Sequence, residues 1–280
     1  MCIRDRIGLG RRPRIPLPDE QAIVADLLDP GARPVLGRAD AVVHLAGCPG
    51  VRDDRPDAGR WRWRDNVLAG QAVLDAVPRA TPLVVTSSSS VYGGAGDPAD
   101  PRPCREDDPR RPQGGYARSK AAFEDLCDAA RARGRRVAVL RPFTVAGEGQ
   151  RPDMALSRWI DAVRADQPVR VLGSLERRRD VTDARDVARA VLAALARDVD
   201  GVVNVGTGRT HRLADLVAAV EAAVGREARI EVTGASAEEV PATRADTARC
   251  HARLGFVPTT DLPALVARQA AHTPVLQAVG

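Results

Sequence analysis

Tyr116 and Lys120 stand four residues apart in Tyr116-Ala117-Arg118-Ser119-Lys120, a spacing that puts both side chains on one face of a helix. An ammonium beside a phenol favours the phenolate and lowers the phenol's pKa. A phenol held in that way can take a proton from a substrate hydroxyl and return it. The pairing is unusual in this composition. Lys120 is the only lysine in 280 residues and Tyr116 is one of two tyrosines, so a lysine placed at random would follow a tyrosine at this spacing about once in 140 trials. A third group able to share the proton could come from the serines of the run Thr86-Ser87-Ser88-Ser89-Ser90-Val91-Tyr92-Gly93, because a hydroxyl both donates and accepts.

These residues need a scaffold, and the hydrophobic pattern supplies one. Short apolar runs alternate with amphipathic segments, which predicts an α/β fold with a doubly wound parallel sheet. Strands are expected at Ile23–Leu27, Ala41–Ala46, Leu83–Thr86, Val137–Leu140 and Val202–Val205. Helices are expected at Asp65–Ala76, Tyr116–Arg131, Met154–Ala165, Ala184–Ala196, Leu213–Val224 and Leu262–Ala271. Tyr116 and Lys120 therefore ride on a helix, and the serine run follows directly on a strand. The stretch Asp97–Gly115, rich in Pro, Gly and charge, reads as a loop, and the tail after His272 has no periodicity.

Composition removes several classes of function. A hydrophobic fraction of 44% supports a packed core. There is no run of about 18 apolar residues, so no membrane span is expected, and the charged opening Met1–Arg6 lacks a secretory leader. The cysteines (Cys2, Cys48, Cys104, Cys127 and Cys250) are scattered without a CxxC pair, which points to reduced thiols in the cytoplasm and to no metal site. The net charge of +5 comes almost entirely from arginine interleaved with Asp and Glu. No aromatic-studded basic stretch argues for nucleic acid.

On these motifs the chain resembles the NAD-dependent epimerase/dehydratase family, the extended branch of the short-chain dehydrogenases, and within it the nucleotide-sugar 4-epimerases. The resemblance runs from about Gly8 to Ala271. It implies a Rossmann-type nicotinamide-dinucleotide domain over residues 1–145, joined by the strand at 202–205. A mainly substrate-binding region over 146–272 and a tail over 273–280 would follow. It implies Tyr116, Lys120 and Ser88 as the catalytic set, acting by transient oxidation and re-reduction at C4 of a sugar. Sugar 4,6-dehydratases of the family carry an Asp-Glu pair where this chain has Ser89-Ser90, so dehydration is disfavoured.

The same resemblance implies the binding residues. Asp26 and Leu27 would meet the adenine; Leu45, Ala46 and Gly47 would pass the phosphates and ribose; Asn66 would lie near the cofactor and Phe143 by the nicotinamide. Arg179, in Arg178-Arg179-Asp180-Val181-Thr182, would contact the nucleotide diphosphate. Arg151 and Thr144 would face the substrate, Arg151 within Gly147–Met154, a stretch like that of uronate 4-epimerases. The family also implies a possible homodimer through the helices at Asp65 and Tyr116. NAD and NADP both stay open, because Gly10 stands where NAD-using members carry an Asp, and Arg11 and Arg12, which follow it, can pair with a 2′-phosphate.

The chain also departs from the pattern. Ile7-Gly8-Leu9-Gly10 gives GxG, yet no third glycine follows and Pro13 and Pro16 oppose a helix, so it reads as the end of the second strand. The first strand and its glycine turn are then expected to be missing, as in a truncated chain. Gly114-Gly115 replaces the usual Ser-Pro before the tyrosine, and Glu238-Glu239 replaces a Gly-Asp pair near the diphosphate site. Two rival readings follow: an NADP-dependent reductase of a keto-sugar or other carbonyl using the same residues, and a cofactor-binding protein or inactive fragment without turnover.

Overall fold

The computed structural model of the chain describes residues 6–10, 20–50, 56–235 and 238–272. They fall into two compact units. One comprises the described residues up to Val91 with Pro112–Leu140 and Val191–Val202. The other comprises Tyr92–Arg111, Arg141–Ala190 and the residues from Val203.

The first unit opens with β1 (Arg6–Gly10), paired in parallel with β2 (Glu20–Val24) so that Gly10 lies opposite Val24. Gly8 and Gly10 thus belong to a strand, in line with their reading as a strand end. Strand β2 stops before the apolar run Ile23–Leu27 is finished. The Asp26 carboxylate accepts the Leu28 N–H at 3.0 Å and its carbonyl accepts the Asp29 N–H at 2.9 Å, which turns the chain. A short helix α1 (Arg33–Gly37) leads to β3 (Val42–His44). A helical run follows as α2 (Ala58–Arg62), a π-helical stretch at Trp63–Leu68, and α3 (Ala69–Ala76), beginning a full two turns before the expected Asp65. Then come β4 (Leu83–Thr86), α4 (Gly114–Ala132) and β5 (Ala138–Pro142). Strands β3, β4 and β5 are mutually parallel. Their Val42, Val85 and Val139 pack with Val73, Leu74, Phe123 and Cys127 of the helices in one core.

In the second unit β6 (Val145–Ala146) is followed by α5 (Ala155–Arg164), β7 (Val169–Leu172), β8 (Arg178–Arg179) and β9 (Thr182–Asp183); next comes α6 (Ala184–Ala196), whose residues from Val191 belong to the first unit. Strand β10 (Gly201–Val205) then completes a four-stranded sheet in the order β10-β5-β4-β3. The chain continues through β11 (His211–Arg212), α7 (Leu213–Val224), β12 (Ile230–Thr233), α8 (Ala248–Leu254) and α9 (Leu262–Ala271). Helices α6, α7 and α9 start and stop at the residues predicted. For α9 the Asp261 carboxylate caps the Ala264 N–H at 3.0 Å, and for α7 Gly225 closes the helix at φ 76°. The core here joins Trp159, Val169, Val171, Val220, Leu265 and Val266. Among the described residues no helix is long and apolar enough to cross a membrane.

Candidate active site

The first unit carries Tyr116, Lys120 and Ser88, the residues expected to handle the proton. Helix α4 begins at Gly114, whose φ of 80° lies in the left-handed region, and its first turn presents Tyr116 half-buried. One turn on, Lys120 is buried and donates from Nζ to the Thr86 carbonyl at 3.0 Å. Thr86 ends β4, so the ammonium ties α4 to the strand end from which Ser88 follows. Burial pulls the Lys120 ammonium down to about 8, with Glu124 opposing the shift. A folded-state pKa below the unfolded value means that stability from this group is complete above the unfolded lysine pKa and is lost as pH falls through about 8. Lys120→Met is therefore expected to flatten the rise in denaturation midpoint between pH 8 and about 10.4, measured by urea titration at the two ends of that window.

Among the four serines, burial sets two apart. Ser87 and Ser90 each bury a hydroxyl with no hydrogen-bond partner, whereas Ser88 is partly exposed and its Oγ accepts the Ser90 N–H at 3.2 Å. That leaves the Ser88 proton free to be donated. His44, whose carbonyl accepts from Thr86 Oγ1 at 3.3 Å, is held to about 4 by burial and by the Lys120 charge. It is neutral and packs edge-on against Phe123 at 5.6 Å.

Asn66 sits in the π-helical stretch, a distortion that recurs at functional sites. Its Oδ1 accepts the Cys48 N–H at 2.8 Å, and its Nδ2 donates to the Cys48 carbonyl at 3.0 Å and to Ser119 Oγ at 2.8 Å. Ser119 Oγ in turn donates to the Tyr116 carbonyl at 2.8 Å. The amide of Asn66 is thus spent on protein partners: it fastens the loop after β3 to the helix that carries Tyr116. A Cβ on Gly47 would stand 2.5 Å from Asn66 Oδ1 and 3.6 Å from Lys120 Nζ. Gly47→Ala is expected to cost about 2 kcal/mol of stability by overpacking and to weaken dinucleotide retention, read by urea denaturation and by the cofactor recovered with the protein.

The other expected cofactor residues lie on the same unit. Leu45, 62% exposed, is followed by the exposed Ala46 and Gly47, so the end of β3 is an open, small and uncharged backbone beside a buried cation. Such a surface fits the ribose and phosphates of a dinucleotide. Leu27 packs against the core, and Asp26 takes the Arg64 guanidinium at 2.5 Å. Arg11 and Arg12 lie outside the described residues.

The second unit holds the remainder. Phe143 is fully buried and stacks on Tyr92 with 6.2 Å between ring centres, so it acts as a wall of the core. Tyr92, the second tyrosine, is buried too: its hydroxyl donates to Asn204 Oδ1 at 2.6 Å and accepts from Arg141 at 2.8 Å. Burial pushes that phenol far above its ordinary pKa, which disqualifies it as an acid–base group. Arg179 donates to the Arg178 carbonyl at 2.9 Å and lies 3.5 Å from the buried Glu239 carboxylate. Arg151 pairs with Asp153 at 3.1 Å, and Thr144 is half-buried with its carbonyl accepting the Thr182 N–H.

One residue of this unit escaped the sequence reading. Asp180 is completely buried. Its Oδ1 accepts Thr207 N–H at 2.9 Å and Thr207 Oγ1 at 2.7 Å, and its Oδ2 accepts Gly208 N–H at 2.9 Å and Ala245 N–H at 3.0 Å. It fastens the Asn204–Gly208 turn and the Ala245 segment to the strand that carries Arg179. A Cβ on Gly206 would stand 2.7 Å from the Ala245 methyl, so the glycine is required for this closure. The four donors come from segments 27 to 65 residues away, and no local pattern announces them.

Comparison with known proteins places this geometry. The family model for the NAD dependent epimerase/dehydratase family matches residues 6–206. The UDP-glucuronate 4-epimerase of Thermodesulfobacterium geofontis is 29% identical over 223 residues, 78% of this chain and 67% of that protein. An uncharacterized UDP-glucose epimerase of Bacillus subtilis is 29% identical over 248 residues, 87% of this chain and 75% of that protein. Among solved structures, MoeE5 in complex with UDP-glucuronic acid and NAD superposes with a TM-score of 0.86 at 35% identity, covering 96% of this chain and 90% of that one. A UDP-glucuronic acid 4-epimerase of Bacillus cereus, also bound to NAD, gives 0.83 at 28% identity over 91% and 81%. Fold, motifs and relatives agree: the chain belongs to the NAD-dependent epimerase/dehydratase family.

Proposed function

We propose that this protein is a nucleotide-sugar 4-epimerase working on a UDP-hexose or UDP-hexuronate. The observation that carries the reading is the buried Lys120 ammonium, bonded to the end of β4 one helical turn from the half-buried Tyr116, with the free hydroxyl of Ser88 on the chain that leaves that strand. Tyr116 would accept the C4 hydroxyl proton and return it, Lys120 would hold the phenolate, and Ser88 would hydrogen-bond the reacting oxygen. A bound nicotinamide dinucleotide supplies the hydride acceptor and donor; Leu45, Ala46 and Gly47, with Asp26 and Leu27, would hold it. Arg179 would exchange Glu239 for the diphosphate, and Arg151 and Thr144 would meet the sugar. The relatives and neighbours described above, which act on or bind UDP-glucose and UDP-glucuronic acid, support that substrate class.

The test is incubation of the purified protein with NAD and, separately, UDP-glucuronate and UDP-glucose, with C4 inversion followed by proton NMR. Accumulation of the C4 epimer supports the reading. No inversion of any UDP- or dTDP-hexose pair overturns it. The pair Arg11-Arg12 favours a second reading, reduction of a keto-sugar by NADPH, and stoichiometric loss of absorbance at 340 nm would select it. We also infer a homodimer, supported by Trp61, Trp63 and Leu68, which leave large apolar surface exposed along the helical run Ala58–Ala76; sedimentation velocity decides it.

A further inference from the structure

We propose that Arg62 is a positioning residue for Tyr116, its guanidinium wedged between the loop at Gly50 and the first turn of α4. This rests on the reading of Tyr116 as the acid–base group. Arg62 closes α2 with only 6% of its surface exposed, although it carries a full charge. It donates from one terminal nitrogen to the Gly50 carbonyl at 2.7 Å. A Cβ on Gly115 would stand 2.9 Å from its other terminal nitrogen, 3.7 Å from Cδ and 3.9 Å from Cζ. The guanidinium therefore lies against the backbone one residue before Tyr116, in the space a side chain at position 115 would fill.

That placement explains an oddity in the sequence. Helix α4 begins with Gly114-Gly115, and only the first of these needs its glycine for conformation, at φ 80°. Gly115 has an ordinary φ; what it lacks is room. Two glycines in succession leave a turn intrinsically loose, because each has more backbone freedom than any other residue. A planar guanidinium packed on that turn removes the looseness. The arrangement has a cost, since Arg62 Nε is buried with no hydrogen-bond partner, and a buried orphan donor calls for a compensating role. Asn66, one turn further along the same helical run, bonds the same loop at Cys48 and the same helix at Ser119. Arg62 and Asn66 thus clamp loop and helix at two successive points, on either side of Tyr116.

The chain's two tyrosines make this directly observable without cofactor or substrate. Protein labelled with carbon-13 in the tyrosine rings gives two sets of signals, and Tyr116→Phe identifies which belongs to Tyr116. Arg62→Ala should shift or broaden the Tyr116 signals and leave those of Tyr92 in place, and Arg62→Lys should restore part of the shift. Gly115→Ala should move the Tyr116 signals in the native background but have no further effect on Arg62→Ala, because the new methyl then meets nothing. In the 4-epimerase assay, Arg62→Ala should lower kcat on the order of tenfold to a hundredfold, as expected for a displaced reacting group, with KM for the UDP-sugar within about threefold. Should Arg62→Ala fail to fold by circular dichroism, Arg62→Met and Arg62→Lys carry the same comparison. The proposal is overturned if the Tyr116 signals do not respond to Arg62, or if the Arg62→Ala and Gly115→Ala effects simply add. Retention of full kcat by Tyr116→Phe would overturn the acid–base reading instead, and the ring signals would still decide the placement.

Discussion

Tyr116→Phe is expected to lower kcat for C4 epimerisation by about 10²- to 10⁴-fold, the range for loss of a positioned acid–base group, while KM for the UDP-sugar stays within about threefold. The variant keeps the ring and its packing and loses only the hydroxyl. Tyr92, the only other phenol, cannot take over: it is buried, hydrogen-bonded to Asn204 and Arg141, and held far from ionisation. Lys120→Met should lower kcat alongside, because it removes the buried ammonium one turn away that is bonded to the Thr86 carbonyl. A kcat near the native value for Tyr116→Phe would refute the assignment of the acid–base group.

Asp180→Ala is expected to cost at least about 4 kcal/mol of unfolding free energy, because three backbone N–H groups lose their acceptor around a fully buried carboxylate, while the Thr207 hydroxyl keeps the Arg209 carbonyl. A domain is stable by only about 5–15 kcal/mol, so the variant should be largely unfolded or insoluble at ordinary temperature. Asp180→Asn keeps one carbonyl oxygen but turns an amide N–H₂ towards a backbone donor, and should lie between the two. Urea denaturation of the three proteins measures this. A loss under 1 kcal/mol for the alanine variant would show that the donors find other partners and that Asp180 is no fastener.

Much of the site was legible because rarity made it so. In a chain with one lysine and two asparagines, Lys120 and Asn66 stood out against a background of arginine. The long helices were equally legible, because a periodicity of 3.6 residues bounded by Asp261, Gly225 or a similar end signal depends only on neighbours in the chain. The pairing of β7 with β12 was not, because β12 is short and exposes Ile230 and Val232, so no buried face marks it. The choice of Ser88 within four serines came from a motif; burial of the Ser87 and Ser90 hydroxyls leaves Ser88 and Ser89 as the accessible pair.

Arg62 and Asp180 show where sequence reasoning stops. Arg62 is one arginine among many, and nothing in Ala58-Gly59-Arg60-Trp61-Arg62 distinguishes the buried one from the exposed ones. Asn66 was expected beside the cofactor, yet its amide is consumed by Cys48 and Ser119, a use that exists only once the loop after β3 and helix α4 have come together. By itself the sequence determined the elements, the Tyr116–Lys120 spacing and the family, since these depend on residue type and on separations of a few positions. Only the tertiary structure decided which charges are buried, which amides are spent on fastening, and why Gly115 has no side chain. Those outcomes depend on partners tens of residues away, and a buried polar group takes its meaning from the groups that fold against it.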